Sequence, residues 1–174
     1  MGATRADRRE GIAVADDLVV REATLVDLDA IVAMRLALLR EHAGNPVYGR
    51  LHPDAEARAP ALFAQQLVSL SDLFLIAESG HAPVGLLRCT ESRTSPLLLP
   101  ERYGYVSSVY VLPAMRRRGI LRAMLGRAEA WCRDRGIAEM RLHNIPQGTP
   151  AAAAWNALGF GVVEHVRTRQ VPGT

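Results

Sequence analysis

Four arginines in seven residues, Arg116, Arg117, Arg118 and Arg122, surround Gly119 and lead into an apolar pattern. Ile120, Leu121, Met124, Leu125, Ala128 and Cys132 recur there at helical spacing. The stretch follows an alternating run, Tyr105-Val106-Ser107-Ser108-Val109-Tyr110-Val111-Leu112, closed by Pro113, so the unit reads as strand, turn, helix. Unpaired N–H groups and the macrodipole already make a helix start positive, and each added cation costs a few tenths of a kcal/mol, up to about 1. A bound polyanion reverses that sign. Free backbone donors, a glycine that admits close approach and guanidiniums that pair with phosphate make a cradle for pyrophosphate. The alternative is a solvated turn with no ligand.

The elements that must position this cradle are legible from periodicity. A short strand over 18–21 is followed by a helix capped by Thr24, with Asp27 three residues on. That helix carries Leu28, Ile31, Val32, Met34, Leu36 and Leu39 and runs to about residue 42. Residues 43–60 hold two glycines and three prolines and read as a loop with at most a short helical turn. A second helix covers 61–70. Strands over 73–78 and 84–91 form a hairpin, and residues 103–112 add the third strand of a meander. The arginine-led helix runs to 135, where Gly136 stops it. A strand over 138–143, a short helix over 150–158 that Pro150 opens, and one or two strands over 160–171 complete the chain. The class is α/β with a mixed sheet.

A length of 174 residues suits one domain. Residues 1–17 alternate arginine and aspartate with small residues and read as a disordered leader, leaving 18–174 as a single domain. No apolar run approaches the roughly 18 residues that span a bilayer, so no membrane is expected. Cys89 and Cys132 sit in apolar patterns without metal-ligand spacing and read as buried free thiols of a reducing cytoplasm, with a disulfide as the minority case. No metal is expected. Every basic side chain other than histidine is arginine, so there is no lysine amine to act as nucleophile or Schiff base. A net charge of +3 is too small to argue for nucleic acid.

Two stretches, in order and on the right elements, resemble the GCN5-related N-acetyltransferase (GNAT) superfamily, and the likeness covers nearly the whole chain. Val109-Tyr110-Val111-Leu112-Pro113-Ala114-Met115-Arg116-Arg117-Arg118-Gly119-Ile120 is similar to the family's acyl-CoA motif, a strand ending in Val-x-Pro before a turn written Gln/Arg-x-x-Gly-x-Gly/Ala. Ala151-Ala152-Ala153-Ala154-Trp155-Asn156-Ala157-Leu158-Gly159-Phe160 is similar to its late Ala-x-x-x-Tyr-x-x-x-Gly-Phe. Arg21-Glu22-Ala23-Thr24 and Gly85 also match. The fold implied is a GNAT-like mixed central sheet of about six or seven strands flanked by about four helices.

The resemblance implies an N-acetyltransferase that moves an acetyl group from acetyl-CoA, as co-substrate, to a primary amine of a small molecule, amino acid or peptide. Backbone groups of Val109 and Val111 would pair with the pantetheine arm beside Tyr110, with the Val111 N–H facing the developing oxyanion. N–H groups over 117–122, spanning Arg117, Arg118, Gly119, Ile120, Leu121 and Arg122 after Arg116, would hold the pyrophosphate. Asn144 stands where the family's sheet splays open. Leu121 replaces a usual Gly or Ala, Gly148 a usual Asn, and Trp155 the tyrosine that protonates the leaving thiolate. No residue announces itself as general base. Ser107, which can position a water but not hold the proton, His143 and Glu91 are the candidates, against ordinary strand-end roles for the last two. Tyr103 and Tyr105 share a strand face with Ser107 and either line the acceptor cleft or simply pack. A catalytically weak module that binds acyl-CoA as a sensor is the second reading. A homodimer is left open.

Overall fold

Leu73-Phe74-Leu75-Ile76-Ala77 is buried at every position, as a strand covered on both faces must be. In the computed structural model it forms the heart of β2 (Asp72–Ser79), the second strand of a five-stranded sheet ordered β1-β2-β3-β4-β5. The structure describes residues 17–145 and 149–172, in two units, the first ending at Leu142 and the second beginning at His143. Residues 1–16 of the expected leader lie outside the described residues. Asp17 accepts a hydrogen bond from Ser79 Oγ at 3.1 Å.

In the first unit, β1 (Val19–Glu22), β2, β3 (Ala82–Arg93) and β4 (Arg102–Val111) run antiparallel in succession, and β5 (Met140–Leu142) joins β4 in parallel. The β2–β3 hairpin turns on Gly80 and His81, both at positive φ, the requirement of a type I′ turn. One face of the sheet is covered by α1 (Leu28–Glu41) and α2 (Ala55–Leu67), the other by α3 (Ile120–Asp134). On the first face Ile31, Met34, Phe63, Phe74, Ile76, Leu86 and Tyr110 form one cluster, with Phe63 and Phe74 edge to face. On the second, α3 lies so close to β3 that a Cβ on Gly85 would stand 3.2 Å from Ile120 and Met124. That closeness fixes where the arginine-led turn emerges.

Two expectations are corrected. The second helix begins at Ala55 and contains Pro60, so residues 55–59 are helical rather than loop. Proline removes one helical hydrogen bond and crowds the preceding turn, but Ala59 and Phe63 bury on one face across it; packing outweighs the break. The sheet has five strands, not six or seven, because residues 161–172 form no strand. Their valines suit a strand by type, yet Val163, Val166 and Val171 are exposed, and β propensity expresses packing that this segment lacks.

The second unit is built around α4 (Pro150–Ala157). The Thr149 side chain accepts from the Ala152 N–H and caps the helix start. At its end Gly159 is left-handed at φ 90°. The Gly159 N–H donates to Asn156 O and the Phe160 N–H to Trp155 O, each at 3.0 Å, a Schellman closure. The closure folds the Phe160 ring back onto Trp155, with centroids 5.4 Å apart. Spacing of aromatic, glycine and phenylalanine in this stretch is therefore a helix-ending device.

Candidate active site

The site is organised by an interruption in β4. Opposite Leu87 the register with β3 slips by one residue, and Ser108 takes up the bulge at φ 52° with its side chain buried. A bulge bends its strand and re-aims the groups beyond it. Pairing with β5 ends just before, at Val106 with Leu142. Within the first unit, residues 107–111 of β4 thus have no neighbouring strand on the β5 side.

Register decides which groups face that opening. The Leu112 N–H donates to Val84 O at 2.9 Å, which makes Val111 and Gly85 a non-hydrogen-bonded pair. The N–H and C=O of Val111 therefore point away from β3, toward the open edge. The Tyr110 side chain stands out of the sheet into the α1 cluster, where its hydroxyl donates to Glu41 Oε1 at 3.3 Å. Burial and the adjoining Glu41 carboxylate push the Tyr110 phenol up.

Arg116 closes the near end of this edge. Its Nε donates to Val111 O at 2.9 Å and its Nη2 to Glu41 at 2.6 Å, with the guanidinium 5.6 Å from the Tyr110 ring. This arginine ties turn to strand. Arg117, Arg118 and Arg122 are exposed, and no ion pair engages them among the described residues. Arg117 and Gly119 are both left-handed, at φ 64° and 80°. Left-handed residues in a turn gather successive N–H groups into a concave anion nest, and a non-glycine residue held there marks a constrained segment. Gly119 is the N-cap of α3, and a Cβ there would meet nothing within 4 Å. The first helical bond runs from the Ala123 N–H to Gly119 O, leaving the N–H groups of Ile120, Leu121 and Arg122 without intrahelical acceptors. Ile120 is buried and Leu121 half-buried, so the sequence's departure at Leu121 does not block the outer side of the turn. An unpaired strand edge leading to an open nest fits a phosphopantetheine nucleotide.

The remaining candidates divide. Ser107 pairs across from Arg88 on the face covered by α1, as Tyr105 does from Thr90 and Tyr103 from Ser92. Its Oγ is buried with no hydrogen-bond partner among the described residues. Glu91 pairs with Gly104, on the α3 face, and its carboxylate is ion-paired with Arg102 at 2.9 Å. The structure does not bring Glu91 and Ser107 together. His143, Asn144 and Trp155 belong to the second unit, His143 and Asn144 in the loop that opens it. Cys89 and Cys132 are buried free thiols, 3.9 Å apart on the α3 face. The sequence reading missed the Ser108 bulge, the Glu41 anchor and Arg35. Arg35 had a signal: it sits at helical spacing from Leu28, Ile31 and Leu38, where a core residue belongs.

The Acetyltransferase (GNAT) family's profile matches residues 36–160, and the chain belongs to that family. It is an acyl-CoA-dependent N-acetyltransferase, with acetyl-CoA as co-substrate. Among its relatives, an aminoglycoside N(6')-acetyltransferase type 1 of Stenotrophomonas maltophilia is 28% identical over 91% of this chain and 96% of the relative. Its namesake from Acinetobacter haemolyticus is 27% identical over 67% and 81%. The fold matches that of a predicted acetyltransferase from Clostridium acetobutylicum, solved with acetyl-CoA, at a TM-score of 0.71 and 20% identity, covering 88% of this chain and 96% of that one.

Proposed function

We propose that this protein transfers the acetyl group of acetyl-CoA to the primary amine of a small molecule, by direct attack of the amine on the thioester. The observation that carries the reading is the run of β4 over residues 107–111, which among the described residues has no strand paired on the β5 side and leads into the Arg117–Gly119 turn. Acetyl-CoA supplies an activated acyl carbon and a thiolate leaving group. Main-chain groups of Val109 and Val111 hold its pantetheine arm, N–H groups over 117–122 its pyrophosphate, and Arg117, Arg118 and Arg122 its phosphate charge. The Val111 N–H donates to the developing oxyanion, a contribution that in other systems is worth about 10²- to 10³-fold in kcat.

The acceptor must shed a proton first, since an alkyl amine has a pKa near 10.4. Ser107 positions a water that relays that proton to solvent. Trp155 cannot act as an acid for the thiolate, and this absence favours the second reading, an acyl-CoA-binding sensor module. A thiol of pKa about 8.5 leaves tolerably without one. The setting we infer is the cytoplasm, with no nucleic acid or membrane partner; among the described residues no helix is long and apolar enough to cross a membrane.

The test is thiol release from acetyl-CoA with a panel of amines. Amine-dependent release that saturates supports the transferase. Binding of acetyl-CoA with no amine-dependent release from any member moves the assignment to the sensor module.

A further inference from the structure

Among the described residues, the face of β4 that carries Ser107 is rich in guanidinium, and the carboxylates near it are engaged by arginine. Arg88 lies directly across from Ser107, 2.6 Å from Asp72. Arg141, opposite Tyr105 in the β5 register, stacks on Tyr103 at 4.2 Å and bonds Glu139 at 2.6 Å. Glu41 is taken by Arg116. Arg35 is the exception. It projects from the sheet-facing stripe of α1, four residues after the fully buried Ile31, and is itself half-buried. Among the described residues no hydrogen bond or ion pair holds its guanidinium. Its electrostatic neighbours are Tyr48, Tyr105 and a second cation, Arg88. Burial pulls the Arg35 guanidinium down from its ordinary value, with Arg88 adding to the effect. An arginine stays charged in proteins all the same.

A charge withdrawn from water without a counter-ion is costly. Such a group persists where something else on the pathway supplies the missing partner, and a planar guanidinium is matched in shape to a carboxylate. We propose that the acceptor amine bears a carboxylate, which docks on Arg35 beside Tyr105 and so presents the amine to Ser107. This rests on the transferase reading and narrows its acceptor. It also sets the protein apart from the aminoglycoside enzymes it resembles in sequence. A substrate with several ammonium groups calls for free carboxylates, and Asp72, Glu139 and Glu41 are each already bonded to an arginine.

The test compares matched acceptors in the acetyl-CoA thiol-release assay: amino acids against their own carboxamides, with kanamycin as the polycationic arm. The acids should exceed their amides in kcat/KM by about tenfold or more, the scale of a hydrogen bond to a charged group. Arg35→Met should erase the preference through KM, with acetyl-CoA affinity unchanged, and Arg35→Lys should restore part of it. Equal rates for acid and amide, a preference for kanamycin, or a preference that survives in folded Arg35→Met overturns the proposal and leaves the transferase standing. Failure of every acceptor, acid, amide and kanamycin alike, overturns both. The wild-type comparison needs no variant to fold.

Discussion

Ser107 carries a buried hydroxyl with no hydrogen-bond partner among the described residues, which separates its structural from its chemical worth. Ser107→Ala breaks no bond, so stability should stay within about 0.5 kcal/mol of the parent. If the hydroxyl positions the water that deprotonates the amine, kcat should fall while acetyl-CoA affinity holds. A melt together with steady-state kinetics decides it, and an unchanged kcat removes Ser107 from the mechanism. Trp155 is the opposite case, a large ring packed on Phe160 at a position where the family often has a tyrosine. Trp155→Phe should retain most of kcat, and Trp155→Ala should lose about 3–5 kcal/mol of stability through the cavity left behind. A loss of more than about a hundredfold in kcat for folded Trp155→Phe, on the scale of acid catalysis, would mean that the indole N–H takes part in the reaction.

At the scale of elements, the entry to α1 is held by charge. Asp27 is buried and accepts from the Thr24 N–H at 2.8 Å and from Arg21 at 2.7 Å, while Arg21 also bonds Glu78 on β2. The Arg21 guanidinium holds the Asp27 carboxyl below its usual range. A depressed carboxylate contributes stability that is present above its unfolded pKa, about 3.9, and is lost as pH falls through the folded value. Asp27→Asn should therefore cost about 1 kcal/mol near neutrality, with Arg21 partly solvated. The gap to the parent should close below about pH 3. A gap independent of pH in thermal melts would contradict the ion-pair account. The Thr24–Asp27 signature was legible in sequence because capping is local, as were the hairpin and the strand–turn–helix unit. What escaped was non-local. Pro60 reads as a boundary until Phe63 is seen packed on Phe74, and the valines after Phe160 read as strand until their exposure is known. The Ser108 bulge exists only relative to Leu87 on the neighbouring strand.

For the whole molecule, the strand, turn and helix that would hold the cofactor were legible in sequence and the residues of the proposed acceptor side were not, for a physical reason. Backbone at a helix start would hold the pyrophosphate, and that backbone geometry follows from Pro113, Gly119 and the apolar period after them. In the proposed site the acceptor would meet side chains gathered from α1, β3, β4 and β5, whose convergence no single stretch encodes. Thus the arginines of the turn announced themselves, and Arg35, a single cation in the apolar middle of α1, did not. The central claim is that acetyl-CoA is held by the open edge of β4 and the turn at Gly119. Its most direct measurement is calorimetric titration of acetyl-CoA into the parent, Gly119→Val, and single Arg117→Ala and Arg118→Ala. A left-handed valine costs about 1–2 kcal/mol, a fall in Tm of about 2–8 °C for a protein of this size. The account predicts that Gly119→Val, still folded, loses acetyl-CoA affinity by well over tenfold, while each arginine variant loses less because the N–H groups remain. Parental affinity in Gly119→Val, or no heat with the parent at millimolar acetyl-CoA, would contradict it.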